Sequence, residues 1–508
     1  MFKWKKQISV CLCMLMATLI LFGGCTKKEP TPSSTTPQSK ENNQSATQKT
    51  DQKTDDKTEA LEPYDLIWYT IGTPQRDSKM VMEELSKYTK EKINSNIDMR
   101  LIDWGDYTQK MQILISSGEP FDITFTCSWA NDYLGNATKG AFVELSELLD
   151  TYGKGTKELL HPGFFKGAEV NGGLYAVPTN KELGWQSVFR FNKKYVDKYN
   201  LDISTVDSLE SLEPLLKVIK ENEPDIQALV DFTPFLPFDA IITDNLPFAI
   251  SLDSNDYKVI NTYDTPEIRQ ALATMRKYYE AGYIRVDAAT ASDNDYVTTG
   301  KWFADKAHTQ PYADLLWSNS AGYEIVSVPM HEPFVNNSSA TGSMQAISVT
   351  SDNPERAMMF LELLNTDPYV RNMVDSGIEG VHYELVNGRQ KDLPAASEGY
   401  NMPTFSLGNL FITHLYEGDP EDKWEAFQEF NDSSFLSPLL GFNLDLTPIR
   451  TELAAIQNVS EEYSKALFTG SVDPDEYLPK ALEKFKAAGS DKVIEEIQRQ
   501  IDAWRATQ

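Results

Sequence analysis

The run Leu66-Ile67-Trp68-Tyr69-Thr70-Ile71 decides the fold class. It is apolar almost throughout, which predicts a strand buried on both faces, as in a parallel sheet covered by helices. Working outward, Gly72-Thr73-Pro74-Gln75 breaks the chain. Asp77 or Ser78 can cap a helix over 79–92, with Met82, Leu85 and Ile93 near one face. Ile97-Asp98-Met99-Arg100-Leu101-Ile102 alternates and reads as a second strand. Met111, Leu114 and Ile115 recur at helical spacing within 107–117, and Gly118-Glu119-Pro120 ends that helix. Phe121-Asp122-Ile123-Thr124-Phe125 is a third short strand. Strand, helix, strand, helix, strand predicts an α/β fold with a parallel sheet. Ligands of such sheets bind beyond the carboxyl ends of the strands. The loops 72–77, 103–106 and 126–140 are therefore the ones to follow.

The N-terminus reads as an address. Lys3, Lys5 and Lys6 precede the apolar stretch Ile8–Phe22, and Gly23-Gly24-Cys25 follows. A basic start, a short apolar segment and small residues before a cleavage point make a secretory signal over 1–24. The other reading is an uncleaved membrane anchor. Residues 25–60 contain no aromatic residue and no aliphatic one larger than Ala. Such a segment cannot offset its ordering entropy by burial, so a disordered tether is expected. Its root-mean-square reach is roughly 30–36 Å.

Of 508 residues, 47 are Lys or Arg and 75 are Asp or Glu, giving a net charge of −28. That balance excludes nucleic acid as a partner, because no basic excess exists to neutralise phosphates. It also argues against wide adhesion to anionic lipid. Cysteines at 11, 13, 25 and 127 give neither a disulfide scaffold nor a four-cysteine zinc site. Cys127 reads as a buried small hydrophobe.

Several segments carry a family resemblance. Leu21-Phe22-Gly23-Gly24-Cys25 resembles the lipobox of bacterial lipoproteins, with Phe22 where Leu is usual. Asp103-Trp104-Gly105-Asp106-Tyr107, Ser117-Gly118-Glu119-Pro120-Phe121-Asp122-Ile123 and Gly140-Ala141-Phe142-Val143-Glu144-Leu145 resemble the first lobe of extracellular solute-binding proteins of ABC importers. Tyr175-Ala176-Val177-Pro178-Thr179-Asn180 resembles the crossing into the second lobe, and Asn353-Pro354-Glu355-Arg356-Ala357 a late helix. The run from Ser471 to Trp504 resembles the C-terminal module of a Gram-positive lipoprotein subgroup. The resemblance implies a periplasmic-binding-protein type II fold, two α/β lobes joined by a hinge with the ligand cleft between them. It places lobe one at 61–180 plus 341–405, and lobe two at 181–340 plus 406–508. Lipidation would fall on Cys25. The implied protein is a monomer, anchored at the extracytoplasmic face of the membrane by lipid, that passes a carbohydrate to the permease subunits of an importer.

A sugar needs aromatic platforms for its ring face and polar side chains for its hydroxyls, because unpaired polar groups cost ~1–3 kcal/mol each in a closed cleft. The loop Cys127-Ser128-Trp129-Ala130-Asn131-Asp132-Tyr133 offers both. Trp129 stacks there and Asn131 and Asp132 pair hydroxyls, or else Trp129 packs under the sheet edge and Asn131-Asp132 cap the next helix. The resemblance adds Lys181, Glu182 and Trp185, whose bland reading is a solvated charge pair and a core aromatic. Thr70, Gln75 and Arg76 lie in the first loop, though Arg76 could equally pair with Asp77 or Glu83. Gln310 and Tyr312 fall where this fold returns to the cleft from lobe two. Ser343 and Gln345 flank the hinge, where Gly342 permits close approach.

No G-x-S-x-G, H-E-x-x-H, Walker A or G-x-G-x-x-G motif occurs. Asp293-Asn294-Asp295 begins like a calcium loop, but Thr298 stands where Gly is needed. The five histidines have no metal spacing, so neither a metal nor a cofactor is expected. The alternatives are a surface-anchored glycoside hydrolase, which needs only two well-placed carboxylates, a binder of another solute such as a peptide, and a binding protein that signals to a membrane sensor.

Overall fold

A computed structural model describes residues 61–230, 235–243, 245–253, 256–291 and 296–508. The expected signal, tether, Cys25 and the 293–295 loop lie outside these residues. Residues 60–508 form one compact unit.

The unit opens as the sequence predicts. β1 (Tyr64–Ile71), α1 (Ser78–Ile93), β2 (Ser95–Ile102), α2 (Tyr107–Ser117) and β3 (Ile123–Thr126) follow in order, and β4 (Ala176–Pro178) comes after four short helices and a small hairpin. The second sheet takes β5 (Ser187–Asn192), β6 (Gln227–Leu229), β7 (Trp302–His308) and β8 (Ile325–Pro329), with α3 (Pro266–Glu280) between β6 and β7. The chain then returns to the first sheet as β9 (Met344–Ile347). α4 (Pro354–Thr366) and α5 (Pro368–Ser376) pack on that sheet, and α6 (Arg450–Phe468), α7 (Pro474–Ala487) and α8 (Ser490–Arg505) end the chain.

The first sheet has the order β2-β1-β3-β9-β4 and the second β8-β5-β7-β6. β1 runs parallel to β2 and β3, whereas β9 is antiparallel to β3 and β4. On β1 one face is sealed along its length and the other only at Ile71. Leu66, Trp68 and Thr70 are buried, while Ile67 and Tyr69 are half-buried under the small cluster of Tyr107, Met111 and Phe125. The thinner cover is why the expected burial on both faces is not reached. Trp68 is fully buried and donates from Nε1 to Gln345 Oε1 at 2.9 Å. Asp77 precedes α1 without capping it through its side chain, because its carboxylate takes the Arg76 guanidinium instead.

Three core clusters define the body. One joins β1–β3, β9, α4 and α5 through Trp68, Ile123, Ile347, Phe360 and Leu364. A second lies over β5–β7 through Phe191, Leu216 and Phe303. A third holds Ile456, Phe485 and Ile497 of the C-terminal helices against Phe248 and Leu272. α3 is apolar on two sides and serves as a shared wall: Leu272 faces the third cluster and Met275 the second. Its remaining face, with Glu267, Arg269, Gln270 and Lys277, is exposed, so the apolar stripe is wide but the helix stays amphipathic.

Segments cross between the lobes near residues 179–185 and 334–343. Thr179 N donates to Ser343 O at 2.9 Å, and Trp185 N to Phe334 O at 2.7 Å. Residues 409–415, expected with lobe two, are bonded to α4 and α5, which pack on the first sheet. Asn409 Nδ2 donates to Asn365 O at 3.0 Å, and His414 N to Asn372 Oδ1 at 2.8 Å. Asparagines on α4 and α5 recruit this segment through main-chain contacts that apolar patterning does not reveal.

Candidate functional site

The carboxyl ends of β2 and β3 carry an exposed aromatic wall. Trp104 leaves β2 and lies near-parallel to Trp129, with centroids 6.4 Å apart. Phe405 completes the group at 6.2 Å from Trp104 and 6.3 Å from Trp129. Trp104 is 42% and Trp129 52% exposed, in a chain whose large aromatics otherwise mostly sit in cores. Local chemistry explains the exposure of Trp129. Cys127 N donates to Ala130 O at 3.0 Å, which closes a tight turn with Ser128 and Trp129 at its apex. The indole Nε1 then donates to Gly342 O at 2.8 Å, tying the turn to the crossing segment. Burial pushes the Cys127 thiol up to about 12, so it stays a neutral packing group.

Phe405 is held by three side chains on consecutive carbonyls. Arg371 Nη2 donates to Thr404 O at 2.9 Å, Ser343 Oγ to Phe405 O at 2.8 Å and Gln345 Nε2 to Ser406 O at 2.6 Å. Ser343 and Gln345 are each 2% exposed. They were expected to touch solute, and the structure instead uses them to position the aromatic wall. Arg371 is fully buried beside Asp375, with Nη1 3.6 Å from Oδ1. Desolvation pulls the guanidinium down and pushes the carboxyl up.

The other expected residues divide clearly. Thr70 is fully buried in β1. Asn131 is 1% exposed at φ 52°, donates from Nδ2 to Phe125 O at 2.9 Å and accepts from Asn136 at 3.1 Å. Asp132 accepts from Gly135 N at 3.1 Å and caps the short helix Tyr133–Thr138. Gln75 bridges Thr73 O at 2.8 Å and Asn401 N at 3.1 Å. Arg76 pairs with Asp77 at 3.0 Å. Lys181 and Glu182 pair with each other at 2.6 Å, and Asn431 donates to Lys181 O at 2.8 Å. For all of these but Thr70, whose buried Oγ1 has no hydrogen-bond partner, a nearby group already pairs with the side chain, as the bland alternative has it.

Trp185 and Tyr312 face open space. Trp185 stacks on Phe334 at 6.4 Å, meets the His308 ring edge-on at 4.6 Å and lines a cavity of about 770 Å³. That volume lies within the range of small-ligand pockets, about 300–1,000 Å³. Ser187, Lys306, His308 and Asn336 supply polar groups there, and Phe235 and Phe238 apolar ones. Desolvation, then the charge of Lys306 and the neighbouring His331, push His308 down to about 4. Tyr312 sits at φ 62° and donates to Asp422 Oδ1 at 2.6 Å, joining the second lobe to the segment after Thr413. Gln310 is half-buried, and its carbonyl accepts from Ala313 N at 3.0 Å. A second cavity of about 130 Å³ lies next to the aromatic wall, lined by Thr404, Gln390, Asp392, Tyr416 and Trp424.

Trp104, Phe405, Lys306 and His308 are absent from the expected set. The rule for strand ends already pointed to the loop 103–106, so Trp104 was within reach of sequence reasoning. Phe405 was not, because nothing local to residue 405 shows that it meets residue 104. Among the described residues no group of three or more His, Cys, Asp or Glu side chains is arranged to hold a metal ion.

The comparisons with known proteins agree with this geometry. Residues 85–378 match the bacterial extracellular solute-binding proteins, and residues 438–506 match a domain of unknown function. A carbohydrate ABC transporter substrate-binding protein of Streptococcus pneumoniae is 34% identical over 444 residues, covering 85% of this chain and 89% of its own. Lipoprotein LipO of Bacillus subtilis is 24% identical over 343 residues, covering 61% and 65%. The crystal structure of the N-glycan transport solute-binding protein NgtS of Streptococcus pneumoniae superposes with a TM-score of 0.81 at 34% identity, over 87% of this chain and 99% of that one. Its complexes with Man1GlcNAc and Man5GlcNAc superpose at 0.70 and 0.67. The fold is the two-lobed type II solute-binding architecture, and the chain belongs to the bacterial extracellular solute-binding proteins.

Proposed function

We propose that this protein captures an oligosaccharide between its lobes and delivers it, chemically unchanged, to the permease subunits of an ABC importer. The observation that carries the reading is the pair of exposed indoles, Trp104 and Trp129, backed by the half-buried Phe405 at the carboxyl ends of the first-lobe strands. Aromatic faces offered to solvent at that edge suit the apolar face of a pyranose. The second wall is the polar and aromatic rim of Trp185, Ser187, Lys306 and His308. Lobe one takes 61–180 with 341–405, and the second lobe carries the C-terminal helices. Closure follows only if the solute binds the closed arrangement better than the open one. The relatives with related chains are named as binding proteins, which favours capture over hydrolysis. A lipid on Cys25 and the tether 25–60 would hold the body at the extracytoplasmic face of the membrane as a monomer.

Calorimetry and thermal unfolding of the full chain against a panel of oligosaccharides test this. A true solute at a hundredfold excess over its Kd is expected to stabilise the fold by ~2.7 kcal/mol, with no new reducing ends in the sugar recovered afterwards. Absence of any binding carbohydrate, or release of shortened products, would overturn the reading.

A further inference from the structure

The C-terminal helices do more than cover the second lobe. The 770 Å³ cavity that begins at Trp185 and Phe334 takes one of its walls from the end of α6, through Ser464, Lys465 and Phe468, and from Thr469 just after it. These residues belong to the domain of unknown function at 438–506. The Phe468 ring lies edge-on to Tyr263 at 5.9 Å, and the Lys465 ammonium donates to Ala291 O at 2.8 Å. Ala288 and Ala291 line the same cavity, so Lys465 both borders the space and holds the chain that borders it.

The domain is locked to this lobe. Arg276 Nη1 on α3 donates to Gly470 O at 3.1 Å. Gly470 has φ +70°, and a Cβ there would stand 2.2 Å from Met275 O, so only glycine allows the end of α6 this close to α3. Gln498 on α8 accepts from Val259 N at 2.9 Å. The wall therefore moves with the β5–β8 sheet whenever that sheet moves.

We infer that the C-terminal domain is part of the solute site: α6 supplies a wall of the second-lobe cavity and sets the size of the sugar unit admitted there. The Phe468 ring with the exposed Lys465 ammonium beside it suits the apolar face and hydroxyl rim of a pyranose, while Thr469 Oγ1, which donates to Lys465 O at 2.7 Å, keeps only its acceptor side for a sugar. The inference rests on the oligosaccharide reading above.

The test uses full-chain variants Phe468→Trp and Lys465→Met, titrated with the one-mannose and five-mannose N-acetylglucosamine glycans. Phe468→Trp narrows the space and is expected to weaken the bulkier glycan about tenfold more than the smaller. Lys465→Met alters an exposed side chain, leaves the fold intact and is expected to speed dissociation of both. Folded variants that keep the wild-type Kd ratio and dissociation rates overturn the inference alone. If Phe468→Trp fails to fold, the dissociation rates of Lys465→Met decide. A wild-type chain that binds no carbohydrate overturns the functional reading, and this inference with it.

Discussion

Replacing Trp129 with Ala probes the aromatic wall directly. A Trp side chain presents at most about 250 Å². Trp129 is 52% exposed, so about 130 Å² of it meets water, and a pyranose covering half of that would remove about 65 Å² from solvent. At about 25 cal/mol per Å² this is worth ~1.6 kcal/mol. Stacking geometry adds up to about 1.5 kcal/mol, as between aromatic pairs. The Kd is therefore expected to rise about 15- to 150-fold. Folding should suffer less, because the substitution removes one half-exposed side chain and its bond to Gly342 O, a net loss of about 0.5–1.5 kcal/mol for the bond. Trp129→Phe keeps an aromatic face without that bond and should retain most of the affinity. Calorimetry on the full chain, paired with urea unfolding of the same samples, separates the two effects. A Kd unchanged within about twofold, equivalent to ~0.4 kcal/mol, in a natively folded Trp129→Ala chain would refute the argument. The solute would then not lie on this wall.

Other parts of the structure give expectations of different kinds. Gln345→Leu strips the buried Trp68 indole and the Ser406 carbonyl of their partners. At ~1–3 kcal/mol for each of the two orphaned groups, urea unfolding should show a loss of about 2–6 kcal/mol, and an unaltered midpoint would show that these bonds hold nothing. His308 should titrate near 4 by NMR rather than at its ordinary 6.5, because desolvation, Lys306 and His331 disfavour the cation. The folded chain then binds fewer protons than the unfolded one between those values. The stability His308 contributes is complete above its unfolded pKa of ~6.5 and is lost as pH falls towards the folded one. His308→Gln should flatten that part of the pH–stability curve, and an imidazole titrating near its ordinary value would refute the expected environment.

The opening of the fold was legible because it is written in local periodicity. Leu66, Trp68 and Thr70 alternate with half-buried neighbours, and Met82, Leu85 and Ile93 share one face of α1. Backbone hydrogen bonding and side-chain burial impose those periods residue by residue, so one sequence suffices to read them. The loop carrying Trp129 was legible for the same reason, since a ligand edge follows from where parallel strands end.

The rest of the site was not local. Asn131, Asp132, Ser343 and Gln345 have the chemistry of sugar contacts, and the folded chain spends that chemistry on its own carbonyls and amides. A polar side chain takes the first partner that desolvates with it, and only the packed structure shows which partner that is. By itself the sequence determined an α/β body with a parallel opening sheet, an acidic surface unsuited to nucleic acid, and the strand-end loops as the candidate ligand edge. The tertiary structure alone decided that Trp104, Trp129 and Phe405 meet, and that α6 walls the second-lobe cavity. Phe405 and α6 lie hundreds of positions from the residues they meet, brought there by sheet order and the close seat of Gly470 on α3, and no local pattern of amino acids encodes such a distance.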